Sequence, residues 1–390
     1  MSDNDNLRFL YKLALDRAIE SCTLSWEQGA LAQALLEYEN PELSVFSSNP
    51  FPRRGHRRLP LADSLRTPSL AYASKHITLY GQTLYPDDNI GVADPRSLGV
   101  SAILLGQSNP VYLNAAQRQL VHVFYHVPRL QNGAISHRTD VSEAWADFIY
   151  MLPPFLAYAA VGLKDDSLLA EALMQCKLYR KILIDDTPGS PTRGLWRHIS
   201  GPMHEDSGFW STGCAWAAAG MVRILPIVLR WEDISRGFVK YGDTPIVETK
   251  LDLRHAAEDL IRWIVEIIQG AIRVDDDSDT GLLRNYLGDS SYFPDVAGTA
   301  LLASVVFRMS SLNISAIFDL DSETGYVRWA EAKRLAVWLH VDEATGIASP
   351  VCQSTDHSRK TPLAKGDINP EAQCFLVMLA SAWRDWVASR

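Results

Sequence analysis

Cys214-Ala-Trp-Ala-Ala-Ala-Gly-Met221 has helix-forming composition and no polar face anywhere around its turns. A helix that is apolar all round has to be covered on every side. Val296-Ala-Gly-Thr-Ala-Leu-Leu-Ala-Ser304 reads the same way, and its small residues permit close backbone approach in a crowded interior. Other segments are one-sided. In 251–272, Leu253, Ala256, Leu260, Ile264 and Ile268 form one stripe, with Arg254, Glu258 and Arg262 off it. Segment 166–184 carries Lys177, Arg180 and Lys181 and fits an outer position. Covered helices and one-sided helices alternate, which predicts an inner ring and an outer ring.

Apolar residues recur at three- and four-residue spacing in about twelve segments. They cover 5–22, 26–39, 62–83, 94–107, 112–128, 142–162, 166–184, 210–232, 251–272, 290–310, 327–341 and 370–388. The expected architecture is therefore all-α, an (α/α)6 barrel of six helical hairpins forming one domain over 1–390. An open helical solenoid is the alternative, but it would keep more uniform repeats and polar caps. Strand signals are scarce; Asp87–Val92 and Phe238–Val247 read as short, turn-rich connections. Phe46–Leu59 reads as a basic loop containing Arg53, Arg54, Arg57 and Arg58, either solvated or forming an anion-contacting rim.

A local pattern recurs along the chain: a Gly-led or acidic turn, then polar and aromatic residues, then a small-residue helix. Its copies are Gly133-Ala-Ile-Ser-His-Arg138, Gly194-Leu-Trp-Arg-His198, Gly281-Leu-Leu-Arg-Asn-Tyr286 and Gly346-Ile-Ala-Ser-Pro350, with a weaker copy at Asp94-Pro-Arg-Ser-Leu98. A unit repeated at roughly 60–90 residues sets its turns at one end of the array. Residues distant in sequence then converge on one pocket.

Composition narrows the function. At 47% hydrophobic and 21% charged, the 390-residue chain is globular in character. A net charge of −9 argues against general nucleic-acid binding, since no basic face displaces counterions. Five cysteines without a CxxC pair point to reduced, buried thiols. Charges in the first apolar run argue against a signal peptide, and no long uncharged apolar window predicts a membrane span. The expectation is a soluble cytoplasmic protein.

Asp147 stands in the otherwise apolar Trp145-Ala-Asp-Phe-Ile-Tyr-Met151. Burying that carboxylate requires pairing, hydrogen bonding or protonation, and a carboxyl protonated near neutral pH suits a general acid. Met151 shares its face one turn on. Asp94 precedes Pro95 at a helix start, where capping alone explains an Asp. As the second carboxylate of a pair, it would raise the pKa of Asp147 and position a water. His137 with Arg138, and Arg197 with His198, sit at matching offsets after their glycines. Arg offers a planar fork to a carboxylate, and His suits sugar hydroxyls. Trp210, at a helix start, is the better stacking candidate; Trp216 combines core and site roles. No P-loop, dinucleotide fingerprint or GxSxG elbow is present, and His122 with His126 lacks a further ligand motif. No cofactor or metal is expected.

These motifs resemble those of the unsaturated glucuronyl and rhamnogalacturonyl hydrolases, glycoside hydrolase families 88 and 105. The likeness rests on Trp145–Met151 with Pro154-Phe-Leu, on Gly194–His198, and on Gly208-Phe-Trp-Ser-Thr-Gly-Cys-Ala-Trp216. Tyr286-Leu-Gly-Asp-Ser-Ser291 and Pro370-Glu-Ala-Gln373 are similar to later motifs of fungal family 105 members, and the resemblance runs from about Trp26 to Trp386. It implies an (α/α)6 barrel that removes a 4,5-unsaturated uronic acid from the non-reducing end of lyase-generated oligosaccharides, as in pectin degradation. It makes Asp147 the general acid and base and Asp94 the second Asp. It matches His198 to a substrate-facing His, Trp210, Gly213 and Trp216 to the aromatic-glycine motif, and His137 and Arg138 to basic residues shifted by about one position. Bacterial members carry Arg before the matched Gly, where this chain has Thr212; Arg138 or Arg197 then contacts the carboxylate, or the substrate differs. The alternatives are another (α/α)6 carbohydrate enzyme, an epimerase or a polysaccharide lyase, and a non-catalytic saccharide-binding barrel.

Overall fold

The computed structural model describes residues 3–52, 58–62, 66–86, 94–236, 238, 252–312, 314 and 325–390. In chain order the helices are α1 Asp3–Ser21, α2 Ser25–Glu39, α3 Pro68–His76, α4 Gly99–Gly106, α5 Pro110–Tyr125, α6 Phe148–Met151, α7 Pro153–Leu163, α8 Asp166–Leu183, α9 Ser211–Ser235, α10 Leu253–Arg273, α11 Val296–Ser311, α12 Tyr326–Leu339 and α13 Pro370–Ala388. A 3-10 turn, Asp94–Leu98, leads into α4.

The all-α (α/α)6 barrel is what the chain builds. α2 packs on the Asp94–Leu98 turn, α4 on α7, α7 on α9, α9 on α11, α11 on α13, and α13 back on α2. That sequence of contacts closes the inner ring. The outer helices lie against it: α1 on α13, α3 on α2, α5 on α4, α8 on α7, α10 on α9 and α12 on α11. The two apolar segments that suggested the ring are buried along α9 and α11. α9, which contains Arg223, is long and apolar enough to cross a membrane, but 94% of its apolar window is buried within the fold. All five cysteines are buried and unpaired.

Several expected segments are shortened, for local reasons. Among the described residues of segment 62–83, helix covers Pro68–His76. Segment 142–162 breaks in three. Ala144–Trp145 (β1) pairs antiparallel with Ile199–Ser200 (β2), α6 follows, and α7 restarts at Pro153, whose missing N–H costs nothing at a first helical position. Segment 290–310 begins only at Val296, because Asp295 caps Gly298 N at 2.9 Å. Before it, Leu283–Arg284 (β3) pairs with Pro294–Asp295 (β4). Asp87–Val92, Phe238–Val247 apart from Phe238, and Arg53, Arg54 and Arg57 lie outside the described residues. Arg58 donates to the carbonyls of Ile234 and Arg236, both at 2.9 Å, so it closes the C-terminal end of α9.

The repeated turns have a common construction. Gly133, Gly194, Gly281 and Gly346 all take positive φ, from 71° to 93°, which a Cβ would oppose. In three of them a side-chain oxygen accepts from the N–H two residues on: Gln175 Oε1 from Ile135 N at 2.8 Å, Thr299 Oγ1 from Leu283 N at 2.9 Å, and Gln373 Oε1 from Ala348 N at 3.0 Å. Glycine releases the chain from one helix, and a polar side chain pins it before the next.

Candidate active site

The β1–β2 pair is what brings the first two site residues together. Ala146 N donates to the His198 carbonyl at 2.8 Å, so Asp147 and His198 leave adjacent strands side by side. They open onto a cavity of about 540 Å³, also lined by Asp94, His137, Arg138, Met151 and Trp210. Thus seven of the residues singled out in the sequence share one hollow.

Asp147 Oδ2 lies 3.3 Å from His198 Nε2. On its other side His198 Nδ1 lies 3.0 Å from Asp206 Oδ2. Asp206 is itself held by the Tyr286 hydroxyl and by Gly208 N at 3.0 Å. Burial alone would lower the His198 pKa, but the hydrogen bonds and charges of Asp147 and Asp206 outweigh it and raise it. Burial would raise the pKa of Asp147; the His198 ring 3.3 Å away, by contact and charge, reverses that and lowers it. Asp206, desolvated but bonded to His198 and Tyr286, is held at about 2. This corrects the expectation that Asp94 would keep Asp147 protonated. His198 is thus biased toward the imidazolium form between the carboxylates of Asp147 and Asp206.

Asp94 reaches the cavity from the 3-10 turn, with Oδ1 3.4 Å from His137 Nε2. His137 is buried and stacked on Trp145, with ring centroids 4.9 Å apart. Burial pushes its pKa down to about 3, so it is a neutral imidazole. Arg138 lines the cavity, but its fork is closed on Asp140, Nε to Oδ1 at 2.8 Å and Nη2 to Oδ2 at 2.7 Å. An arginine bound bidentately to a carboxylate is not an open clamp.

The remaining sequence candidates fall behind the site. Arg197 and Thr212 are not among the cavity-lining residues, and Thr212 is fully buried. A Cβ on Gly213 would stand 3.3 Å from both His198 Cδ2 and Trp210 Cε3, so that glycine lets α9 approach the site from behind. Trp216 is core, packed on Tyr150 and Phe375 at 4.3 and 4.7 Å. Trp210 lines the cavity with its indole N–H given to Asn285 Oδ1 at 2.9 Å. His122 and His126 line a separate hollow, and no third ligand-type residue joins them among the described residues.

Other site residues carried no decisive sequence signal. Glu143, wholly buried, accepts from Trp145 Nε1 at 3.0 Å, Met203 N at 2.8 Å, and His204 N and Nδ1 at 2.9 Å. It thereby fixes one wall and the 201–206 loop. His357 comes from an aperiodic stretch, and burial lowers its pKa to about 4. Trp26 and Glu371 come from opposite ends of the chain. His198, Asp206 and His357 bring ligand-type atoms within 4.8 Å of one another, a set that could hold a cation; the His198–Asp206 hydrogen bond already satisfies two of them.

The barrel gathers acids, imidazoles and indoles in one end cavity, groups able to hydrogen-bond and stack on a sugar. The glycosyl hydrolase family 88 model matches residues 95–240, the segment holding Asp147, His198 and Trp210. Over that segment the chain is similar to glycosyl hydrolase family 88. Solved structures agree in fold. A possible member of the GH105 family from Salmonella enterica serovar Paratyphi A is 15% identical with a TM-score of 0.69, covering 97% of this chain and 93% of that one. A possible GH105 member from Klebsiella pneumoniae is 14% identical with a TM-score of 0.70, covering 98% and 93%. An unsaturated glucuronyl hydrolase specific for heparin is 12% identical with a TM-score of 0.62, covering 99% and 98%. Comparison with curated protein sequences finds no match.

Proposed function

We propose that the enzyme removes a 4,5-unsaturated uronic acid, of the rhamnogalacturonyl type, from the non-reducing end of lyase-generated oligosaccharides. The observation that carries this reading is the Asp206–His198–Asp147 chain facing an oligosaccharide-sized cavity. The substrate is a vinyl ether, so the C4=C5 bond is electron-rich and the ring oxygen supports positive charge at C5. His198 passes its Nε2 proton to Asp147 Oδ2 across their 3.3 Å contact. Asp147 delivers that proton to C4 as the π electrons form the C4–H bond. Water adds to C5 and leaves its proton on the Asp147 carboxylate. The hemiketal opens to a C5 ketone, and the hemiacetal at C1 expels the remaining sugar. Asp206 holds the imidazole in orientation throughout, while Asp94, beside the neutral His137, positions the water.

Glycosidase distances for retention or inversion do not apply, because no substitution occurs at the anomeric carbon. The test is incubation with lyase-digested rhamnogalacturonan and, in parallel, with other unsaturated uronides. The ultraviolet absorbance of the conjugated alkene is expected to fall. Its persistence with every substrate would overturn the proposal.

A further inference from the structure

Glu371 is the second residue of α13 and is only 3% exposed, yet it lines the same cavity as Asp147. Its Oε1 accepts the Trp26 indole N–H at 2.8 Å. Its Oε2 is buried and makes no hydrogen bond of ordinary geometry, though Ser354 lies near enough to act on the carboxyl. The groups around it are acidic or neutral: Glu27 from α2, Asp147 from the turn before α6, Ser354 beside it, and the thiols Cys374 on α13 and Cys352, which also neighbours Asp295 at the head of α11. Burial, then the charges of Asp147 and Glu27, push its pKa up to about 8. At neutral pH the group is a carboxylic acid with a proton to donate.

The cavity has a matching need. A uronate brings a carboxylate, and Arg138, the one arginine among the described lining residues, is closed on Asp140. His198 is already shared by two carboxylates.

We propose that Glu371 is the substrate-binding residue for the uronate carboxylate, donating a hydrogen bond to it from the buried Oε2 while Trp26 holds Oε1. The inference rests on the reading of the substrate as an unsaturated uronide. An O–H donor to a carboxylate makes a strong, charge-assisted bond. The same group ionised would repel the ligand, so binding weakens as pH rises through the Glu371 titration. Substrate itself favours the protonated form and moves that loss to higher pH.

The experiment is steady-state kinetics on an unsaturated uronide disaccharide between neutral and alkaline pH, with circular dichroism to confirm folding. At neutral pH Glu371→Ala is expected to raise KM about tenfold, with a smaller change in kcat, since one charge-assisted hydrogen bond is lost. Glu371→Gln, which keeps an N–H donor, is expected to restore most of that loss and to abolish the alkaline rise in KM. The inference is overturned if Glu371→Ala binds as wild type does. It is equally overturned if Glu371→Gln keeps the wild-type alkaline rise, an arm that decides the matter even where the Ala variant fails to fold. If wild type leaves every unsaturated uronide intact, the substrate reading falls and this contact with it. If wild type turns them over and Glu371→Gln follows its pH profile, only the Glu371 contact falls.

Discussion

His198 is the residue on which the local chemistry turns, because its two ring nitrogens each face a carboxylate. Its folded pKa lies above the unfolded value of 6.5. Its contribution to stability is therefore complete below that value and is lost as pH rises through the folded one. On the proposed mechanism activity follows the same sign, since the proton delivered to substrate is the one His198 holds. Asp206→Asn removes one of the two groups that raise the His198 pKa. The alkaline limb of kcat/KM is expected to move to lower pH in that variant, and an unmoved limb would detach Asp206 from the proton path. The sequence marked Asp147 and His198 by their unusual surroundings, a lone acid in an apolar helix and a His after a turn glycine. It did not show that Asp140, two residues from Arg138, occupies that guanidinium. Nor did it show that a histidine would decide the protonation of Asp147 where a second acid had been expected to.

At the scale of elements, the site depends on how closely α9 approaches the turn that carries Asp147. A Cβ on Gly220 would fall 2.0 Å from the Ile149 carbonyl oxygen and 2.8 Å from Tyr150 N, both in α6. Gly220→Ala is therefore expected to displace α6 and the Asp147 turn, costing about 1–3 kcal/mol as an overpacked contact. Thermal denaturation and kcat check this together; unchanged Tm with full activity would mean that α6 is not locked by α9. Helix periodicity marked the covered helices in advance, since α9 and α11 have no polar face. It could not mark the interruption at Trp145–Leu152, where pairing with Ile199–Ser200 and the two prolines override a continuous apolar pattern.

For the whole molecule, an ionic cluster ties the inner ring together about a dozen residues along from the site end, roughly 18 Å at 1.5 Å per residue. Glu37 of α2, fully buried, accepts from Arg223 of α9 (Nη2 to Oε1, 2.7 Å) and from Arg308 of α11 (Nη2 to Oε2, 3.0 Å). Asp385 of α13 also pairs with Arg308. Glu37→Ala leaves buried guanidinium charge poorly compensated, with an expected loss on the order of 3–5 kcal/mol. Equilibrium denaturation measures it, and a loss near zero would show that the ring closes on apolar packing alone. The ring was legible from its alternating helix types. The convergence of Glu371 and His357 on Asp147, more than two hundred residues away, was not, because only closure of α13 on α2 brings them there. The central claim, a proton passed from Asp147 to C4 of an unsaturated uronide, is tested most directly by turnover in deuterated water followed by NMR. The account predicts loss of the alkene with one solvent deuteron placed at C4, abolished in Asp147→Asn. A product released with its alkene intact, or one equally deuterated by Asp147→Asn, would contradict it.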